Sequence, residues 1–133
     1  MGTVLPPFPD AEDVVMALLE QVAPTVSDTP PDLTPPLIKV NRVGGSDDGI
    51  TDYPRVEVSC YGHDHAEARR LGEQCRQVIL GSVRTVAAGA LIDSVRTDNP
   101  PTRVPYATSD DERCDRAYYR LAWRRTRVGT EKS

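Results

Sequence analysis

Aromatic side chains are scarce in this chain, with one Trp, one Phe and five Tyr among 133 residues. Few large rings are therefore available to fill a core. Hydrophobic residues make up only 38% of the sequence, which is low for a globular domain and leaves part of the apolar burial to neighbouring copies. Long apolar runs are missing too. No segment approaches the roughly 20 residues that cross a bilayer, so no membrane partner is expected. Cysteine is limited to Cys60, Cys75 and Cys114, an odd number without metal-like spacing. Met1 to Pro9 lacks the basic start and apolar stretch of a secretory signal. A reducing cytoplasm with three free thiols is the expectation.

What remains is enough chain for one domain, 1–133, with 1–9 as an extended lead-in and 129–133 as a fraying tail. The formal net charge of −4 is unevenly spread. Nine acids and two bases fall in residues 1–54, a net of −7, so the remainder carries +3. Arg116 to Val128 holds five arginines and no acid. Such segregation suits either solvated faces or two unlike patches that meet between copies.

Asp10 stands at an N-cap position, and Ala11, Val14, Val15, Leu18, Leu19 and Val22 repeat with helical spacing. A helix is expected over about Asp10 to Val22, ended by Pro24. Thr25 to Thr29 suits a short strand, and the prolines from Pro30 to Pro36 suit a loop or sheet edge. Leu37 to Val43 and Arg55 to Tyr61 alternate as a strand pair. Between them, Gly44-Gly45-Ser46-Asp47-Asp48-Gly49 breaks the strand and forms a long acidic loop, either a hairpin tip or an arm that docks on a neighbour.

Asp64 and Glu67 have the spacing of a capping box, and Ala68, Leu71, Gly72, Cys75, Val78 and Ile79 line the face of a second helix that stops at Gly81. Val83 to Ala90 fits a helical extension or a loop. Leu91 to Thr97 reads as a strand, Asp98-Asn99-Pro100-Pro101 as a turn, and Arg103 to Arg113 as irregular chain anchored by Val104 and Tyr106. The last strand spans Ala117 to Thr126, with Ala117, Tyr119, Leu121 and Trp123 on its apolar face. The economical fold is a two-layer α+β sandwich, a mainly antiparallel sheet of about four strands against two helices.

No constellation points to a reaction. His63-Asp64-His65 is the one metal-like cluster, and a small metal-dependent enzyme is the remote alternative it supports. With Asp64 as a helix cap, both histidines become solvated flankers. Cys60 and Cys75 lie on apolar faces, whereas Cys114 sits between Arg113 and Arg116, neighbours that lower a thiol pKa. The glycine-rich loop is followed by acids that repel phosphate, so it is no phosphate cradle. Tyr118 shares a strand face with Arg120 and Arg124, as in a nucleic-acid surface, but the chain is acidic overall. No cofactor is expected.

Phe8-Pro9-Asp10-Ala11-Glu12 before the first helix, the run Pro36 to Gly45, Arg55-Val56-Glu57-Val58, and Ala66-Glu67-Ala68-Arg69-Arg70-Leu71 together resemble the tail terminator proteins of long-tailed bacteriophages. The likeness extends from about Phe8 to Arg127 and is nearest to siphophages of actinobacteria, consistent with fourteen Arg against two Lys. It implies a non-enzymatic virion protein of the tail and neck, assembled in the host cytoplasm. It also implies a homohexameric ring on the head-proximal end of the tail tube. That ring stops tube growth and joins a head-tail connector or stopper protein, while DNA passes through its lumen without specific binding. Another neck or tail component, a connector or tube subunit, is the near alternative. The expected interface residues are Asp47, Asp48 and Asp52 on the acidic side, with Arg103, Tyr106, Arg116, Arg120 and Arg124 opposite them.

Overall fold

The computed structural model describes residues 2, 4–28, 34–104 and 113–125. The expected two-layer α+β arrangement is present, but the main sheet has five strands. Helix α1 (Ala11–Leu19) leads into β1 (Thr25–Val26), β2 (Leu37–Asp47) and β3 (Thr51–Tyr61). Helix α2 (His65–Leu80) follows, then β4 (Val86–Ala87), β5 (Ala90–Leu91), β6 (Ser94–Arg103) and β7 (Cys114–Arg124). The sheet order is β1-β2-β3-β7-β6, and β4 and β5 form a separate small hairpin. All pairings are antiparallel except β1 with β2.

Local signals explain both helices. The Asp10 carboxylate accepts from the N–H groups of Glu12 and Asp13, at 2.8 and 3.1 Å. These are two donors that a first turn leaves unsatisfied. Helix α1 ends at Leu19, earlier than Val22. The Val22 N–H bonds Leu19 O at 2.9 Å, and this tighter turn steers the chain toward Pro24. At α2, Asp64 accepts from Glu67 N–H at 2.8 Å, and Glu67 Oε1 accepts in return from His63 N–H at 2.6 Å. Both helices press one apolar stripe on the same sheet face. Val14, Val15, Leu18 and Leu19 meet Ile38, Val40, Val56, Val58, Leu121 and Trp123, with Leu71, Cys75 and Ile79 from α2 completing the core.

Two expected breaks in the strands are absent. The run Gly44 to Asp47 continues β2, pairing from Gly44↔Arg55 to Asp47↔Asp52. A bulge between Arg42 and Gly44 absorbs one residue, and Gly45, at φ +102, takes a conformation that only glycine adopts freely. The long acidic loop is thus a tight turn at Asp48 to Ile50. Likewise, Asp98-Asn99-Pro100-Pro101 does not turn the chain; β6 passes through with register shifts at Thr97/Asn99 and Asn99/Thr102. Proline is tolerated there because β6 is an edge strand. Leu91 belongs to β5 rather than to β6, and Val83 to Ala90 holds a turn, then β4 and the first residue of β5. The last strand starts earlier than expected, at Cys114. Expectations for Thr29 to Leu33, Tyr106, the rest of 105–112, Thr126 and the 129–133 tail lie outside the described residues.

The three thiols are buried. Cys60 and Cys75 face each other across the core with sulfurs 3.7 Å apart. The contact with Cys75, with burial added, pushes the Cys60 thiol well up. Cys114 is also fully buried, in a smaller cluster with Leu37 and Tyr61. It is a core residue and not an exposed thiol.

Candidate assembly surfaces

The tip of the β2–β3 hairpin is a knot of charge. Asp48 accepts from the N–H groups of Ile50 and Thr51 at 2.9 and 2.7 Å, and Asp47 accepts from Gly49 N–H at 3.0 Å. The Thr51 and Ile50 amides hold the Asp48 carboxyl below its ordinary value. These acids close their own turn in the manner of Asx motifs. Asp52 is buried and accepts two parallel bonds from the Arg42 guanidinium, at 2.8 and 2.9 Å. That bond to Asp52 raises the Arg42 pKa against the opposing effect of burial.

Arg125 clasps the tip from behind. Its guanidinium donates to Gly49 O from Nε at 3.1 Å and from Nη2 at 2.9 Å, and to Pro6 O at 2.9 Å, while stacking 4.3 Å over Phe8. The N-terminal lead-in is therefore fastened to the hairpin and to the end of β7. A notch of about 400 Å³ opens beside it, lined by Phe8, Asp10, Glu12, Arg42, Asp47 and Asp52 among others. Ile50 at 68% exposure, with Val43 and Tyr53, makes the same end apolar as well as acidic.

The sheet face away from the helices carries Arg116 and Arg120 of β7, both already engaged. Arg116 Nε donates to Ser59 Oγ at 2.8 Å and lies 3.9 Å from Glu57. Tyr118 donates its hydroxyl to Glu57 at 2.9 Å, beneath Arg55 at 4.3 Å from its ring. Burial, then Glu57, raises the Tyr118 pKa. Arg55, Arg96 and Arg120 converge on Asp98 at 3.1, 3.1 and 2.9 Å. Burial alone would raise the Asp98 pKa, but bonds from Arg55, Arg120 and Arg96 outweigh it and lower it.

The expected interface residues thus fall into three groups. Asp47, Asp48 and Asp52 share the hairpin tip, Asp52 buried and ion-paired within its own chain. Arg116 and Arg120 belong to the networks on the open face. Arg124 and Arg103 are exposed at the ends of β7 and β6, opposite Thr51 and Asp115 respectively. Tyr106 lies outside the described residues. Phe8, Arg125 and the hub Asp98 are not among the interface residues expected from sequence. Asp98 reads as a turn residue, and only the strand register brings the distant Arg55 and Arg120 to it beside its near neighbour Arg96.

The metal-like cluster is spent on structure. Asp64 and Glu67 form the helix cap, and His63 Nδ1 lies 2.8 Å from Glu67. His65 is no solvated flanker. Its Nε2 lies 2.9 Å from Asp115 Oδ1, with side-chain exposures of 18% and 3%. Among the described residues, no group of three or more His, Cys, Asp or Glu side chains is placed to hold a metal ion. No helix among them is long and apolar enough to cross a membrane.

A search of curated proteins returned no match. The sequence profile of the phage tail termination proteins matches residues 7–129, nearly the whole chain and every element described above. The chain therefore belongs to the phage tail termination protein family, structural and non-enzymatic components of the virion tail that act at the tail tube.

Proposed function

We propose that six copies of this chain close a ring on the head-proximal end of the tail tube. The ring blocks further tube subunits and presents the surface for the head-side connector. The carrying observation is family membership across residues 7–129. The fold is suited to the task. A closed ring uses a heterologous interface, one patch against a different one on the next copy. This domain has two dissimilar sheet edges, β1–β2 and β6, to supply them. The net charge of −4 favours passage of DNA without retention, since like charge repels phosphate. Assembly in the host cytoplasm fits three buried free thiols, and an actinobacterial host fits the excess of arginine over lysine.

Native mass spectrometry, alone and with tail tubes, tests the stoichiometry. A discrete six-copy species is expected in at least one condition. Open-ended filaments of this chain alone would identify a tube subunit instead.

A further inference from the structure

We infer that neighbouring copies join by adding the upper half of β6 of one copy to the upper half of β2 of the next, so that the sheet continues around the ring. The inference rests on the ring reading above and specifies its seam.

Among the described residues, the two edges of the sheet are guarded over the same half and largely open over the other. Along β2, β1 covers Ile38 and Lys39, Asn41 Nδ2 donates to Ser27 O at 2.7 Å, and Glu12 accepts from Arg42 N–H at 3.0 Å. Beyond Arg42, whose own Nε donates to Gly44 O at 3.1 Å, the strand continues as an extended, exposed run from Val43 to Asp47. Along β6, Pro100 and Pro101 interrupt the donors of one half, while Ser94 to Thr97 pairs regularly with β7 and contains no proline or lysine. Edges of this kind recruit another strand unless blocked.

Register puts the bare halves at one height. Arg42, Val56, Tyr119 and Thr97 form one row across the sheet, and Gly44, Arg55, Arg120 and Arg96 the next. Direction agrees as well. Three successive antiparallel pairings make β2 run opposite to β6. Rotation about an axis along the strands lays β2 of one copy beside β6 of its neighbour as another antiparallel pair.

The flanks differ in charge. Asp10, Glu12 and Asp13 at the start of α1 border the β2 edge. On the β6 side, Arg96 is 70% exposed. Arg69 and Arg76 share a stripe of α2 with Gly72, where an added Cβ would lie 3.0 Å from Pro101 of β6. Unlike flanks favour head-to-tail docking over edge pairing of two identical sides.

The test uses Gly44→Cys with Arg96→Cys in the full chain, positions in one row on the open face. Gly44 has nothing within 4 Å of an added Cβ. Mild oxidation of assembled rings is expected to give a ladder of cross-linked species up to ring size, absent from either single variant. Hydrogen exchange on the unmodified protein checks the seam independently. Amides in 43–47 and 94–97 should slow on the order of tenfold or more on assembly, while those of Gly49 and Ile50 need not. Rings that form without the ladder and without this protection overturn the seam but leave the ring intact. Protection on tubes without cross-links assigns the edges to the tube subunit and overturns it too. A chain that never forms rings removes both.

Discussion

Arg42 and Asp52 show how a residue with an apparent external role is consumed internally. A buried carboxylate needs a partner, and Arg42 supplies two charge-assisted bonds at 2.8 and 2.9 Å. Replacing Arg42 by Ala strands that carboxylate. The Arg42 side chain is itself 37% exposed, so the expected loss is about 1–3 kcal/mol rather than that of a fully buried pair. Urea denaturation of Arg42→Ala measures it; unchanged stability would show that water replaces the guanidinium. Asp98 makes a pH prediction. Its folded pKa lies below the ordinary 3.8, so the unfolded chain takes up the proton first as pH falls. Its stabilisation is complete above the ordinary value and is lost as pH drops through the folded one. Asp98→Asn should therefore be less stable than the parent near neutrality, with the two curves converging in acid. A gap that persists in acid would assign the effect to packing instead.

At the scale of elements, glycine carries the hairpin. An added Cβ at Gly45 would lie 2.8 Å from Arg55 N and also crowd Tyr53 O, at a positive φ. Gly45→Ala should cost more than about 1 kcal/mol and loosen the tip, seen as faster amide exchange in Ser46 to Thr51. Unchanged exchange would contradict the close approach. Both helices were legible in the sequence because caps and 3.6-residue spacing are local signals, and α2 runs from His65 to Leu80 as the capping box and Gly81 foretell. The inward faces of β3 and β7 were legible from alternation. Strand ends were not. Gly44-Gly45 and Pro100-Pro101 look like stops when read locally, yet a bulge and an edge position let the ladder run through both. Strand β1 was visible only as a short segment, and its parallel pairing depends on a partner twelve or more residues away. The site was less legible still. Charge segregation was real in sequence, but Asp52, Arg116 and Arg120 turned out to answer charges within their own chain.

For the whole molecule, that internal pairing changes what an assembly mutant means. Reversing Arg120 to Glu puts a second acid against Asp98, 2.9 Å from the present guanidinium nitrogen. The isolated subunit should then melt at a lower temperature, and any loss of rings is partly a loss of folded monomer, coupled by mass action. A normal melting curve with failed assembly would place Arg120 in the interface itself. The buried core, the clasped N-terminus and the exposed stretches of the two sheet edges fit the proposed subunit that joins neighbours along its sides. The most direct test of its role is the length of tail tubes polymerising from purified tube subunits, measured by electron microscopy with and without this chain. Tubes should stop growing on addition and carry extra density at one tip. Tubes that reach the same lengths, with bare ends, would contradict termination.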